Sequence, residues 1–386
     1  MKGIVYLDYN ASTPVDERVL QAMLPWFCGQ YGNPSSKGHP MGWAAEEACE
    51  QAREQVAAAV AAEPGEIVFT SGATEGANAA IKGVAEMYAS RGRHLVTVQT
   101  EHRAVLNTHR ALERKGYEVT YLPVDAHGLL DLDALESALR DDTILVSVMW
   151  ANNEAGTIQP VERVSEIARS RGVLFMTDAT QAVGKVPVQA GVADLLVCSA
   201  HKFYGPKGVG ALYVRRRDPR VRIAPLLDGG GHENGRRSGT LNVPGIVGMG
   251  EAAEIACREM EDFRERMEHL QNRLESRLLQ LSGARLNVPP QVPRLPQTSS
   301  IRFEGIGGAH MITACRNLAF SAGSACSSGS GEPSHVLRAM GLSSEQALST
   351  LRLSLGRFTT EDEVERTADQ IGQCVRNAKQ TALASA

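Results

Sequence analysis

Apolar runs of five to seven residues, broken by polar turns, recur along the first 214 positions. Residues 66–70, 94–98, 144–150, 173–178, 195–199 and 210–214 are rich in Val, Leu and Ile and predict strands, and 117–122 is strand-like. A further short strand opens the chain at 4–7 and runs into a polar turn, after which Pro14 and Asp16 start a helix through Met23. Between strands the period lengthens. In 42–62, Ala45, Ala48, Ala52, Val56 and Ala59 recur at spacings of three and four, one buried stripe of a long helix. Residues 77–87 and 131–139 read as further helices. Strand and helix alternating this often predict a mostly parallel sheet covered on both faces. After 214 the pattern changes. A glycine-rich loop at 228–240 leads to a helical region at 245–280, a proline-containing loop at 289–296, a strand at 299–303 and a short helix at 311–315. A small-residue run at 321–331, a helix capped by 332–334 and ending at Met340, and a strand at 351–354 complete a second, smaller unit.

The chain has 386 residues, 43% of them hydrophobic, enough for a large core and two subdomains. A net charge of −4 asks for neither nucleic acid nor an anionic membrane. No apolar run reaches spanning length, and the N-terminus lacks the basic–apolar–small order of a signal peptide. Seven cysteines without regular spacing, and no CxxC pair, predict reduced thiols in the cytosol and no metal site built from cysteines.

Candidate chemistry gathers at strand ends. Lys202 leaves the 195–199 strand through Ser199-Ala200-His201, followed by the tight turn Tyr204-Gly205-Pro206. It is either a solvated loop lysine or an amine placed for Schiff-base chemistry, typically with pyridoxal 5'-phosphate. Asp178 ends the preceding strand. Such a carboxylate is a helix N-cap or, paired with Lys202, the anionic partner that keeps a pyridine nitrogen protonated. Ser71-Gly72-Ala73-Thr74 sits between a strand and a helix, an ordinary capped turn with Thr74 as cap, or a phosphate cradle. His102, past the end of 94–98, is a satisfied polar residue or a ring that stacks on a flat cofactor and moves protons. Asn153 either donates to a cofactor oxygen or tolerates a left-handed turn. The loop 228–240, with five glycines and two arginines, is either an anion-contacting or a flexible segment. Arg352, alternating with apolar neighbours on its strand, pairs with a protein carboxylate or with that of an amino-acid substrate. Cys326, within Ser321-Ala322-Gly323-Ser324-Ala325-Cys326-Ser327-Ser328-Gly329, is a thiol in a run with little capacity for core packing, and reads as a reagent rather than an inert surface cysteine.

Ten blocks in order carry a resemblance: YLDYNASTPVD, GNPSS, FTSGATEG, TEH, NNEAG, TDATQAVGK, SAHKFYGPKGVGALYVR, GGGHENGRRSGT, SAGSACSSGSGEPSHVLRAMG and LRLSLGRF. The chain resembles the cysteine desulfurases of the NifS/IscS type, enzymes of the class-V aminotransferases with the pyridoxal-phosphate-dependent fold-type I. The resemblance implies an α/β fold with a mostly parallel, seven-stranded-type sheet in a large domain (15–260) and a smaller α+β domain (1–14 and 261–386) carrying the cysteine loop. It implies pyridoxal 5'-phosphate as cofactor, Lys202 as its Schiff-base lysine and Asp178 as the pyridine partner. Gln181 and Asn153 would contact the phenolic oxygen, His102 would stack and shuttle protons, and Thr74, Ser199 and His201 would hold the phosphate, with Ala73 among the cofactor contacts. Thr240 would complete the phosphate site of the other subunit in a homodimer. Arg352, with Asn153, would bind the L-cysteine substrate, and Cys326 would accept its sulfur and pass it to an acceptor protein. Ala322 stands where many relatives carry serine. The chain also stops soon after Lys379-Gln380-Thr381, short of the longer tail of relatives that serve iron–sulfur scaffolds. That shifts the expected acceptor toward a dedicated protein of tRNA thiolation or DNA phosphorothioation. Rival expectations are a selenocysteine lyase or other pyridoxal-phosphate lyase, and a non-catalytic assembly partner.

Overall fold

The computed structural model describes residues 3–323 and 332–385, with side chains through 380. Seven strands form one sheet in the order Ile67–Thr70, Gly210–Val214, Leu195–Ser199, Leu174–Asp178, Thr143–Ser147, His94–Val98 and Glu118–Leu122. Gly210–Val214 runs antiparallel to both neighbours, and every other pairing is parallel, with Leu145 opposite Leu174 and Met176 opposite Leu195. Six strands therefore end at one edge of the sheet, the place where open α/β sheets present their ligand crevice.

Both faces of this sheet are buried, which explains why its strands read as continuous apolar runs rather than alternating ones. Val68, Leu95, Leu145, Leu174, Leu195, Val197 and Leu212 point to one side and pack with Ala77, Ala80, Ile81 and Val84 of the helix Ala73–Met87. Their neighbours Phe69, Val96, Val146, Phe175, Leu196 and Ala211 point to the other, against the alanine stripe of the helix Pro40–Ala59 and the helix Val243–Arg258. The small stripe lets those two helices approach closely: a Cβ built on Gly250 would meet Ala52 Cα at 2.6 Å. His39 opens the first of the pair, its Nδ1 accepting from the Gly42 amide ahead of Pro40 at the first helical position.

A second sheet, antiparallel throughout, runs Ser321–Ala322, Thr350–Ser354, Thr298–Phe303, Ala284–Leu286. Its core joins Met267, Leu270 and Leu274 of the helix Met260–Leu278 to Ile371 and Val375 of the helix Glu361–Ser385, and it takes in Val5 and Leu7. Val5–Tyr6 pairs in parallel with Leu318–Ala319, so the first residues of the chain belong with the last hundred.

Several boundaries depart from the sequence expectation. The region expected as one run at 245–280 is two helices, parted where Glu259 leaves helical geometry (φ −104°, ψ 10°) and its carboxylate meets Arg18. The helix expected at 77–87 begins at Ala73, and the strand expected at 144–150 ends at Ser147. Helices Arg103–Glu113 and Val161–Ser170 were not marked by the pattern at all. Cys326 lies outside the described residues. Among the described residues no helix is long and apolar enough to cross a membrane.

Candidate active site

A cavity of about 580 Å³ opens at the carboxyl edge of the seven-stranded sheet. Residues at or just beyond the ends of five of the strands line it: Gly72 and Thr74, His102, Asn153, Asp178 and Gln181, and Ser199, His201 and Lys202, joined by Arg352 from the second sheet. The geometry of each shows what it can do.

Lys202 closes the turn Ala200–Lys202 directly after its strand, and its Nζ donates to the carbonyl oxygens of Asn10 (2.6 Å) and Ala11 (2.8 Å). Those acceptors are neutral. Burial is the main force lowering its pKa to about 8; the Arg352 guanidinium adds to it, while Asp178 and Asp8 oppose it. The amine is thus held ready to lose its proton near neutral pH. Asp178, 7% exposed, ends the Leu174–Asp178 strand, and its Oδ1 accepts from the Thr180 amide at 2.9 Å. Its second oxygen remains for a ligand's proton. The carboxylate's field reaches both Lys202 and His102.

His102 has two jobs at once. Its Nδ1 caps the helix Arg103–Glu113 by accepting from the Ala104 amide at 3.1 Å, so the neutral ring carries its proton on Nε2. The ring borders the open cavity yet is surrounded by protein, and desolvation lowers its pKa. His201 is pushed down to about 4, first by burial and then by Lys202, so it is a neutral hydrogen-bonding ring at pH 7, 3.3 Å from Ser12 Oγ.

The turn at 71–74 is a cradle. Gly72 precedes the helix Ala73–Met87 at φ +148° with no side-chain cap, which corrects the expectation of Thr74 as cap: Thr74 is already the second helical residue. The first-turn amides are left facing the cavity wall near Ser199, whose Oγ a Cβ on Gly72 would meet at 3.4 Å. A helix of 15 residues adds its positive end. Open amides, a serine hydroxyl and a neutral imidazole form the donor set that a phosphate ester requires.

Gln181 and Asn153 are both fixed through Asn10, a residue the pattern did not single out. Gln181 Nε2 donates to the Asn10 carbonyl at 2.9 Å, and its Oε1 accepts from Lys185 Nζ at 2.7 Å. Lys185 is fully enclosed, and burial holds its pKa well below the ordinary lysine range. The backbone oxygen of Asn153 accepts from Asn10 Nδ2 (3.2 Å) and Arg352 Nη1 (2.9 Å). The turn chemistry considered for Asn153 belongs to its neighbours: Asn152 Oδ1 caps the amides of Glu154 and Ala155, and the positive φ falls at Gly156.

Arg352 reaches a protein carboxylate as well as the cavity. Its Nη2 donates to Asp8 Oδ1 (2.6 Å) and Ser321 Oγ (2.9 Å), while its buried Nε has no partner among the described residues. Thr240 is exposed and lies outside this cavity. Its loop is tied down by protein carboxylates. Glu233, buried, takes both Arg53 nitrogens (2.9 and 2.8 Å) and the Phe69 amide (2.8 Å), and Arg237 pairs with Glu75 at 2.8 Å.

Residues 5–367 match the class-V aminotransferase family. The chain is 52% identical to a cysteine desulfurase IscS of Anaeromyxobacter sp. (strain Fw109-5), with 98% of this chain and 94% of that one aligned. It is 51% identical to the IscS of Salmonella arizonae over 97% and 93% of the two chains. Among solved structures it resembles a NifS-like protein (TM-score 0.90, 42% identity, 97% of this chain and 99% of that). It also resembles SspA in complex with cysteine (TM-score 0.81, 40% identity, 92% and 99%).

Proposed function

The chain belongs to the class-V aminotransferase family and is a pyridoxal-phosphate-dependent cysteine desulfurase; on that premise we propose the roles of the residues around its cavity. The residues present fit the cofactor, since open backbone amides at Ala73 and Thr74, the Asp178 carboxylate and a readily neutral Lys202 stand around one space. When bound, pyridoxal 5'-phosphate supplies a protonated ring that holds the electrons released at the substrate's α-carbon.

Ala73, Thr74, Ser199 and His201 would hold the phosphate, Asp178 would accept the pyridinium N–H hydrogen bond and so keep the ring protonated, and Gln181 and Asn153 would meet the phenolic oxygen. Lys202 would tether the cofactor's aldehyde carbon, and its lowered pKa makes the neutral amine available as the base for the substrate's α-proton. His102 would stack on the ring and move protons through Nε2. Arg352 receives the substrate carboxylate, with Asp8 and Ser321 fixing the guanidinium plane from behind. Cys326, as thiolate, attacks the substrate sulfur: the C–S bond breaks, a Cys326 S–S bond forms, and protons returned to the β-carbon and to the α-carbon complete alanine. The persulfide then goes to an acceptor protein, with iron–sulfur assembly, tRNA thiolation and DNA phosphorothioation as the candidate destinations.

Three further points belong to this reading. The enzyme works as a homodimer in which Thr240 reaches the partner's phosphate site, a role supported by its exposed position on a loop anchored through Glu233. Residues 15–260 form the cofactor-binding unit and 1–14 with 261–386 the smaller one, in keeping with Val5 and Leu7 packing among residues 263–375. The six free cysteines among the described residues suit a reducing, cytoplasmic setting.

The observation that carries the proposal is the meeting of Lys202, Asp178 and the uncapped helix start at one sheet edge. Its test is Cys326→Ala. The variant should retain the cofactor's absorbance and lose at least 99% of alanine formation from cysteine, as expected for removal of a covalent nucleophile. Alanine formation at the parent rate would refute the persulfide role.

A further inference from the structure

We propose that Cys315 and Cys374 form a reversible disulfide, a second thiol site distinct from the cavity, oxidised by low-molecular-weight disulfides. The two residues are 59 positions apart in sequence, yet their Sγ atoms stand 2.8 Å from one another. Cys315 ends the helix Gly308–Ala314, and Cys374 lies in the middle of the helix Glu361–Ser385. Both helices pack in the same cluster, with Met311, Leu318, Ile371 and Val375 around the pair, so neither sulfur needs to travel to reach the other.

The two sulfurs differ in access, and that difference sets an order of events. Cys374 is half-buried and Cys315 only 3% exposed. Burial, reinforced by the hydrogen bond with Cys374, pushes the Cys315 thiol up to about 12. Cys374 therefore meets the oxidant first. Its thiolate attacks one sulfur of a small disulfide, R–S–S–R, and the departing R–S⁻ takes up the proton that Cys374 released. Cys315 then gives its proton to the second leaving thiolate as its sulfur attacks Cys374 Sγ in the mixed disulfide. Two protein thiols lose two electrons, and one small disulfide becomes two R–SH.

The bridge has a structural consequence that points toward the cavity. Residue 315 begins the run that supplies Leu318–Ala319, the strand paired with Val5–Tyr6, and then Ser321, whose hydroxyl meets Asp8 and Arg352. Tying residue 315 to the last helix closes a loop of about 59 residues and restrains the wall that holds Arg352.

The test treats the full-length holoenzyme with glutathione disulfide, unfolds it in N-ethylmaleimide, and maps non-reduced peptides by mass spectrometry. The expected product is a linked pair of peptides carrying positions 315 and 374, two hydrogens lighter than the dithiol and lost on reduction. The melting temperature of the treated protein should rise by about 5 °C. In Cys315→Ser the chemistry should stop at a glutathione adduct on Cys374, and in Cys374→Ser neither the link nor the thermal shift should appear. Recovery of both cysteines as maleimide adducts in the parent would overturn the proposal. So would an equal thermal shift in Cys374→Ser.

Discussion

Taking the cofactor-free protein from about pH 6 to about pH 10 should switch on the Lys202 amine with a midpoint near 8 rather than at the ordinary lysine value of 10.5. The cause is spatial: Lys202 donates to two neutral carbonyls, is largely desolvated and stands near Arg352, so its charge has lost water without gaining a bonded anion. The fall from 10.5 to about 8 corresponds to about 3 kcal/mol favouring the neutral amine. At pH 7 it raises the neutral fraction from about 0.03% to about 9%, roughly 300-fold. The sign for folding follows. Between about pH 8 and 10.5 the unfolded chain holds a proton here that the folded chain has shed, so stability of the cofactor-free protein rises with pH across that window and the gain is absent below it. The assay is the rate of pyridoxal 5'-phosphate uptake against pH, followed by cofactor absorbance after rapid mixing. Two variants sharpen it by moving the midpoint in opposite directions: Arg352→Gln removes a repelling cation and should move it upward, and Asp178→Asn removes an attracting anion and should move it downward. A parent midpoint above about 10, or both variants moving the same way, would refute the electrostatic account.

Two further outcomes concern the scaffold. Arg53→Met leaves Glu233 buried without its bidentate partner and should cost about 3–5 kcal/mol in urea unfolding, with part recovered in Arg53→Met/Glu233→Gln; a loss under about 1 kcal/mol would contradict the pairing. His109 is fully buried, with Nδ1 on the Val105 carbonyl and a pKa lowered by burial to about 4. As pH falls from about 6.5 to 4 the unfolded chain gains a proton that the folded one refuses, removing about 3 kcal/mol of stability, and His109→Leu should flatten that slope in acid-unfolding curves.

The strands at Leu174–Asp178 and Leu195–Ser199 were legible because every residue in them is buried, and a sheet covered on both faces demands unbroken apolar runs. The alanine stripe of Pro40–Ala59 was legible for the same reason, since the packing partner asks for small residues at fixed spacing. Where the pattern erred, a contact from far along the chain decided the outcome. No glycine or proline marks the break at Glu259; its carboxylate is engaged by Arg18, 241 residues away, an interaction that local periodicity does not encode. The helix Ala73–Met87 begins early because Gly72 adopts φ +148°, a conformation a glycine permits but does not announce.

The same contrast runs through the cavity. Lys202 and Asp178 could be singled out because a charge at the end of a buried strand is costly unless it has a use. The residues that orient them gave no such signal. Asn10 acts through its backbone oxygen, which accepts from both Lys202 and Gln181, and a carbonyl is common to every residue type. Asp8 and Arg352 are 344 positions apart, so sequence spacing held both partners of Arg352 open, and the structure supplies the protein carboxylate on one nitrogen. A guanidinium already paired with Asp8 tolerates burial by itself, and under the proposed role it turns the rest of its fork to the substrate carboxylate. Legibility thus follows the number of partners a function needs: a group that is strange by itself shows in the sequence, whereas a group made useful by its neighbours shows only once the chain has folded.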